Sequence, residues 1–281
     1  MEKIIAAFDG LKYSESVAAH AMAIAKRYKT TLVGVFLEDF TYHSFGILDL
    51  VADNGSNKMR AVRLKKADEE IRDNSVKRFQ EACENAGLEY IIHRNLNVAI
   101  RDLLNESLYA DLLIIQNNES FSLYKQPVPT NFIVALLEKV ECPVLLVPDQ
   151  YKKPEQICFF FDGEPSSVFA IKQFSYLFRH ENKPMEVITV VRKDAERTVP
   201  DSPLMKEWMQ QHYAVVKYKL LEGDARQEIV SHLKRKVKQP LVVLGAYERG
   251  AVSRWLKKSM ADVLLKNIAV PIFIAHKSDV L

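Results

Sequence analysis

Glycine is scarce in this sequence: nine of 281 residues, about 3% against a usual 7%. Loops that press backbone against phosphate through several glycines must therefore be few. Cysteine is scarce as well. The three residues Cys83, Cys142 and Cys158 are an odd number and form no Cys-x-x-Cys pair. This pattern indicates buried thiols in a reducing compartment rather than a disulfide framework.

Long apolar runs are also missing. No stretch approaches the roughly 18 uncharged apolar residues of a membrane-spanning helix, so no membrane contact is predicted. The amino terminus, MEKIIAAFDG, has only five apolar residues before Asp9, which is too few for the apolar region of a secretory signal peptide. We therefore expect a cytoplasmic protein.

Motifs of catalysis and metal binding are absent. None of the seven His belongs to a His-Glu-x-x-His element, no Cys or His pair has zinc spacing, and there is no Gly-x-Ser-x-Gly. The basic run HLKRKVKQ at 232–239 lacks interleaved aromatic residues, so it indicates an exposed helix face rather than a nucleic-acid surface. We expect no enzyme, no metal site and no nucleic-acid partner.

What is present is enough for two ordinary domains, since 48% of the residues are hydrophobic and a domain usually has about 100 to 150 residues. Charge is uneven between the halves. Residues 1–150 have 17 Lys plus Arg against 21 Asp plus Glu, net −4, and residues 151–281 have 22 against 15, net +7. The basic half could attract phosphate or complement the acidic half across an interface.

The chain contains an internal repeat. KIIAAFDG at 3–10 recurs as QICFFFDG at 156–163, and ALLEKVECPVLLVP at 135–148 parallels VLLKNIAVPIFIAH at 263–276. NVAIRDLL at 97–104 and GDARQEIV at 223–230 lie between them. We therefore predict two copies of one unit, residues 1–150 and 151–281, joined by a short polar linker.

Each copy alternates short Ile/Val/Leu-rich runs with longer segments of helical period, the pattern of a parallel sheet covered on both faces. The predicted fold is α/β: two tandem Rossmann-like domains, each with five parallel strands. Ser14 is a predicted helix cap, and residues 57–86 should form a long, mostly exposed helix that ends at Gly87. Residues 39–56 and 118–130 have no clean period and are expected to be irregular loops.

The strongest local signal follows the run LVVLG at 241–245, where a doubly wound sheet binds ligands beyond the carboxyl ends of its strands. Gly245 and Gly250 have the glycine spacing of a Walker loop, but Ala251 and Val252 stand where Lys and Ser or Thr are required. The segment is therefore not a Walker motif.

On these residues the chain resembles a tandem member of the universal stress protein family, in the opening strand ending Asp-Gly and in the closing helix and strand with Pro143 or Pro271 at their junction. The resemblance covers nearly the whole chain. In nucleotide-binding members, the segment after the fourth strand reads Gly, two residues, Gly, nine residues, Gly, then Ser or Thr. Gly245 and Ser259 match this pattern, whereas Glu248 and Lys258 depart from it.

The resemblance implies a partly retained nucleotide site in the second copy. Its candidate residues are Asp162, Gly163, Gly245, Arg249, Lys258 and Ser259. The cations Arg249 and Lys258 suit phosphate, but a side chain in place of glycine blocks close approach of the backbone, and Glu248 adds a negative charge. Two alternatives therefore stay open. Either the second copy binds ATP or AMP, or its nucleotide site has been lost or altered.

The corresponding site in the first copy is degenerate. The same count back from Pro143 reaches Asn131, and the segment QNNESFSLYKQPVPTN contains no glycine. Asp9 matches the family's first-strand Asp, which resembles an adenosine contact in binding members. An Asp alone at a strand end is more often a turn former, and we favour that interpretation.

The resemblance implies a cytoplasmic stress-response protein that binds a ligand or an unknown protein partner and is not an enzyme. The alternative is an ATP- or AMP-binding protein that uses the second copy, with slow hydrolysis. Family dimers pair through their last strands, so we expect PVLLVP and PIFIA to let one chain imitate a dimer. The sequence does not decide whether two chains form a homodimer.

Overall fold

The computed structural model describes residues 1–39, 42–45, 57–191, 202–245 and 260–276. The chain divides into two compact units, Met1–Val140 and Glu141–Leu281. Both alternate strands with helices, so the predicted α/β fold of two tandem Rossmann-like repeats is confirmed. The limits of the repeats at residues 150 and 151 stay a prediction from the sequence.

The first unit contains four parallel strands in the order β3-β2-β1-β4. The strands are β1 (Lys3–Asp9), β2 (Thr31–Leu37), β3 (Tyr90–Asn95) and β4 (Leu112–Gln116). The helices are α1 (Glu15–Tyr28), α2 (Asn57–Ala86), α3 (Ala99–Ser107) and α4 (Asn131–Lys139). The strands β1, β2 and β4 are almost wholly buried, as expected for a parallel sheet covered on both faces.

The second unit contains five parallel strands in the order β10-β9-β6-β7-β8. In the opposite direction, β8-β7-β6-β9 repeats the order β3-β2-β1-β4 of the first unit. Its strands are β5 (Val144–Val147), β6 (Gln156–Phe160), β7 (Met185–Val191), β8 (Val216–Glu222), β9 (Pro240–Gly245) and β10 (Ile272–Ala275). Its helices are α5 (Pro165–Leu177), α6 (Ser202–His212), α7 (Ala225–Lys236) and α8 (Met260–Asn267). The strand β5, which closes the first sequence repeat, belongs to this unit and pairs antiparallel with β10, Leu146 opposite Ile272.

Helix boundaries follow the local signals of the sequence. The Ser14 hydroxyl accepts the backbone N–H of Val17 at 3.3 Å, so the predicted cap of α1 is confirmed. The long helix α2 has the predicted bounds, exposes most of its residues, and is followed by Gly87 with φ +65°. Residues 118–130 contain no helix or strand, as predicted, and the same holds for the described residues 42–45 of the other predicted loop.

Candidate functional site

The carboxyl end of β1 carries the first predicted site residue, Asp9. Its Oδ1 accepts the backbone N–H of Leu11 at 2.8 Å, which closes the turn after the strand. The Asp9 side chain is only 1% exposed. The interpretation of Asp9 as a turn former agrees with this hydrogen bond.

A second carboxyl, Glu119 from the loop after β4, is buried in the same region. Glu119 Oε1 accepts the backbone N–H groups of Ser120 at 2.8 Å and Phe121 at 3.2 Å. Burial raises the pKa of Asp9 to about 7, and repulsion from Glu119 adds to the rise. Burial also raises the pKa of Glu119. Two acids in this position oppose the approach of a phosphate.

Lys12 is the cation nearest to this acid pair. Its Nζ lies 3.9 Å from Asp9 Oδ2 and donates to the carbonyl oxygen of Ser122 at 2.9 Å. The same ammonium lies 5.2 Å from the centre of the Tyr42 ring. One lysine therefore joins the first turn of the unit to the loop after β4 and to the segment around Tyr42.

Aromatic rings lie beside the acid pair. Tyr42 is 6% exposed, and its ring meets that of Phe121 edge to face with centroids 6.4 Å apart. Phe121 in turn contacts Phe132 of α4 at 4.5 Å. These rings occupy part of the region beyond the carboxyl ends of β1 and β4, beside a cavity of about 300 Å³ that Lys12, Gln116 and Glu119 line.

Asn131, the other predicted residue of the first site, lies in the exposed first turn of α4. Its backbone N–H donates to Gln126 Oε1 at 3.2 Å. Thr130 caps the helix: its hydroxyl accepts the N–H of Ile133 at 3.2 Å and donates to the carbonyl oxygen of Glu119. A side-chain amide and a side-chain hydroxyl therefore occupy two N–H groups that a bound anion would otherwise contact.

Sequence reasoning missed a polar cluster on α2. Asp68 is fully buried, and it accepts hydrogen bonds from the Ser44 backbone N–H at 3.2 Å and from the Ser44 hydroxyl. His43 Nδ1 lies 3.3 Å from Asp68 Oδ2, and Arg72 donates to the carbonyl oxygen of Tyr42 at 3.2 Å. These contacts hold residues 42–45 against α2. The sequence carried one signal of this cluster. Asp68 and Arg72 are spaced one helical turn apart on α2, in line with its apolar stripe.

In the second unit, Asp162 and Gly163 follow β6. Asp162 Oδ1 accepts the N–H of Glu164 at 3.0 Å, the equivalent of the turn at Asp9, and Gly163 has φ +86°. Asp162 is half-buried, in contrast to Asp9. The helix α5 begins at Pro165, only three residues after Asp162, whereas α1 begins six residues after Asp9.

Gly245 ends β9 and lies beside the first turn of α5. A Cβ atom at this position would collide with the backbone carbonyl group of Ser166. The glycine therefore allows strand and helix to pack closely. The strand registers pair Ile4 with Leu112 and Ile157 with Leu241. The registers thus make Gln116 the equivalent of Gly245 in the first unit. There the helix after the first strand, α1, begins more residues beyond its strand than α5 does.

The structure brings Asp162 and Gly245 together at one small cavity of about 40 Å³. Its other lining residues include Phe161, Ser166, Ser167 and Met260. This volume is far below the roughly 300 Å³ or more of usual ligand pockets. The remaining predicted site residues, Arg249, Lys258 and Ser259, lie outside the described residues.

Among the residues that the structure describes, no group of three or more His, Cys, Asp or Glu side chains could hold a metal ion. No described helix is both long enough and apolar enough to span a bilayer.

The fold can be compared with solved structures. A universal stress protein from Archaeoglobus fulgidus matches with TM-score 0.70 at 13% identity, covering 98% of both chains. The chain has the universal stress protein fold. A Pseudomonas aeruginosa protein assigned to the universal stress proteins matches with TM-score 0.57 at 14% identity, covering 98% of this chain and 92% of its own.

A functionally unknown protein from Pseudomonas aeruginosa gives a similar match, with TM-score 0.58 at 13% identity, again over 98% of this chain and 92% of its own. No protein-family model matches the chain, and no curated protein matches its sequence. The predicted resemblance to universal stress proteins is therefore confirmed at the level of the fold, over nearly the full chain.

Proposed function

We propose that this chain is a cytoplasmic stress-response protein of the universal stress type, which acts by binding a ligand or a protein partner and not by catalysis. The observation that carries the proposal is the burial of Asp9. Its side chain is only 1% exposed and its Oδ1 accepts the backbone N–H of Leu11, so this carboxyl is not placed to exchange a proton with a substrate.

The second unit carries the alternative, binding of ATP or AMP with slow hydrolysis. Asp162 and Gly245 line the same cavity, and Asp162 keeps some exposure that Asp9 has lost. In this alternative Arg249, Lys258 and Ser259 complete the site. The first unit takes no part in it, because two buried acids oppose a phosphate.

A thermal-shift series with ATP and AMP at millimolar concentration tests the alternative. A nucleotide well above its dissociation constant should stabilise the protein by about 1 kcal/mol or more. Asp162→Asn should abolish this shift, and Asp9→Asn is the matched control because it makes the same change at the equivalent strand end. Absence of any shift in the wild-type protein would remove nucleotide binding.

Phosphate release from ATP tests the non-catalytic role. We expect the wild-type protein to release phosphate no faster than buffer alone. Release that is clearly faster, and that Asp162→Asn abolishes, would show an enzyme and contradict the proposal.

The proposed partners are the second repeat within the same chain, as an internal mimic of a dimer, a second copy of the chain, and an unidentified protein. Light scattering across a concentration series measures the second of these, since a homodimer doubles the mass.

A further inference from the structure

The second unit contains a large open cleft far from the nucleotide position. It has a volume of about 580 Å³ and lies between β8 and α7. Usual ligand pockets have roughly 300 to 1,000 Å³. The cleft is lined by Gln156, Glu186, Lys217, Lys219, Leu221, Glu228, Ser231, His232, Arg235 and Lys236.

We call this cleft the basic cleft. The spacing of side chains along the strand β8 and along the helix α7 decides which of them line it. Lys217 and Lys219 alternate along β8 and so point to the same face of the strand. Glu228, His232 and Arg235 are spaced as neighbours on one helix face, which turns its polar side toward the strand. The sequence and the fold together therefore build a polar groove there.

The charge of the cleft is positive. Four cationic side chains line it, Lys217, Lys219, Arg235 and Lys236, against the two carboxylates Glu186 and Glu228. All four cationic side chains are exposed. Within the described residues, none of these side chains forms a hydrogen bond or an ion pair. Like charges gathered in one concave site repel each other, and a bound anion relieves that repulsion.

A buried pair forms part of the cleft wall. His232 Nε2 lies 2.9 Å from Glu186 Oε2, and the two side chains are only 9% and 12% exposed. Glu186 fixes the orientation of the imidazole. His232 Nδ1 has no hydrogen-bond partner in the described part of the chain, so the ring can bind a further group.

The cleft is separate from the position that the nucleotide-binding pattern predicts. Gln156 and Glu186 stand at the beginning of β6 and β7, whereas Asp162 follows the carboxyl end of β6 and Gly245 is the last residue of β9. Six residues of extended chain from Gln156 to Asp162 correspond to about 20 Å. A ligand of the cleft would therefore not contact Asp162.

We propose that the basic cleft binds a small molecule that carries two or more phosphate groups. Arg235 offers a planar fork that suits phosphate, and the lysines add compact point charges. No Phe, Tyr or Trp is among the described lining residues, so the site recognises the phosphate groups and not a stacked base. The concave shape favours a compact ligand over a nucleic-acid strand.

Isothermal titration of the full chain with sodium tripolyphosphate at about 0.1 M salt tests the proposal. The double variant Lys219→Ala/Arg235→Ala should weaken binding at least about tenfold, since each cation makes a charge-assisted contact. Lys234→Ala/Lys266→Ala is the matched control: it removes the same charge from exposed positions outside the cleft. We expect the control to change the affinity less than about threefold.

Three outcomes would overturn the proposal. The first is no binding by the wild-type chain. The second is equal weakening in the two double variants, because net charge alone would then explain the binding. The third is an oligonucleotide that binds more tightly than tripolyphosphate and needs Lys219 and Arg235. Asp162→Asn should leave tripolyphosphate binding unchanged, so a failed nucleotide site and a failed cleft are distinguishable.

Discussion

Asp9 and Glu119 are buried together in the first unit, although 110 residues of sequence separate their positions. Asp9 is the last residue of β1, and Glu119 follows the neighbouring strand β4. Burial first, and the charge of Glu119 second, raise the pKa of Asp9 to about 7. Two acids with raised pKa values therefore lie where the sequence predicts a degenerate phosphate site.

This pair predicts that the protein is more stable in mild acid. The pKa of Asp9 is higher in the folded chain than in the unfolded chain, so the folded state binds the proton more tightly. Its contribution to the free energy of unfolding is full below about pH 4 and is lost as the pH rises through about 7. Urea unfolding should therefore show a higher midpoint at pH 5 than at pH 8.

Asp9→Asn should remove much of this pH dependence and raise the free energy of unfolding at pH 8 by about 1 to 3 kcal/mol. The amide oxygen can still accept the Leu11 N–H. Asp162→Asn, at the half-buried equivalent position, should leave the pH dependence in place. If Asp9→Asn unfolds with an unaltered pH profile, the acid pair does not control it.

Gly245 makes a second prediction, about packing. Gly245→Ala should destabilise the second unit by about 1 to 3 kcal/mol, because the new Cβ meets the Ser166 backbone and not a flexible side chain. Gln116→Ala at the equivalent position of the first unit should cost less, since a side chain already fits there. Thermal unfolding of both variants gives the comparison, and equal losses would contradict the packing role.

The fold could be predicted from the sequence because its signals are local. The apolar runs gave the strands, Ser14 and Gly87 marked the ends of helices, and the repeated Phe-Asp-Gly showed that one unit occurs twice. Each of these features depends on residues a few positions apart. They survive even where identity to solved structures has fallen to 13%.

The chemistry of the two sites could not be predicted in the same way. Asp68 and Ser44 are 24 residues apart, and no local pattern in either segment predicts their contact. Glu119 lies in a loop without a period, so its burial beside Asp9 depends on tertiary packing alone. The basic run at 232–239 looked like an exposed face, but His232 is largely buried against Glu186.

Thr130 connects the loop after β4 to α4 and gives a third prediction. Thr130→Ala removes both the helix cap at Ile133 and the hydrogen bond to Glu119, so it should cost about 1 to 2 kcal/mol. Thr130→Ser keeps the hydroxyl and should recover most of that loss. Hydrogen exchange at residues 118–130 should rise in the Ala variant only; a rise in both would show that the methyl group, and not the hydroxyl, holds the loop.

Asp68 allows the last prediction, which concerns the anchoring of residues 42–45. Its carboxylate accepts two hydrogen bonds from Ser44 inside a fully buried site. Asp68→Asn turns one acceptor into a donor that faces donors, so we expect a loss of about 1 to 3 kcal/mol in the free energy of unfolding and faster hydrogen exchange at residues 42–45. Asp73→Asn on the same helix is the control, because its ion pair with Arg94 is exposed and should contribute less than about 1 kcal/mol. Equal effects of the two substitutions would mean that α2 responds to its net charge and that the buried contact with Ser44 has no special weight.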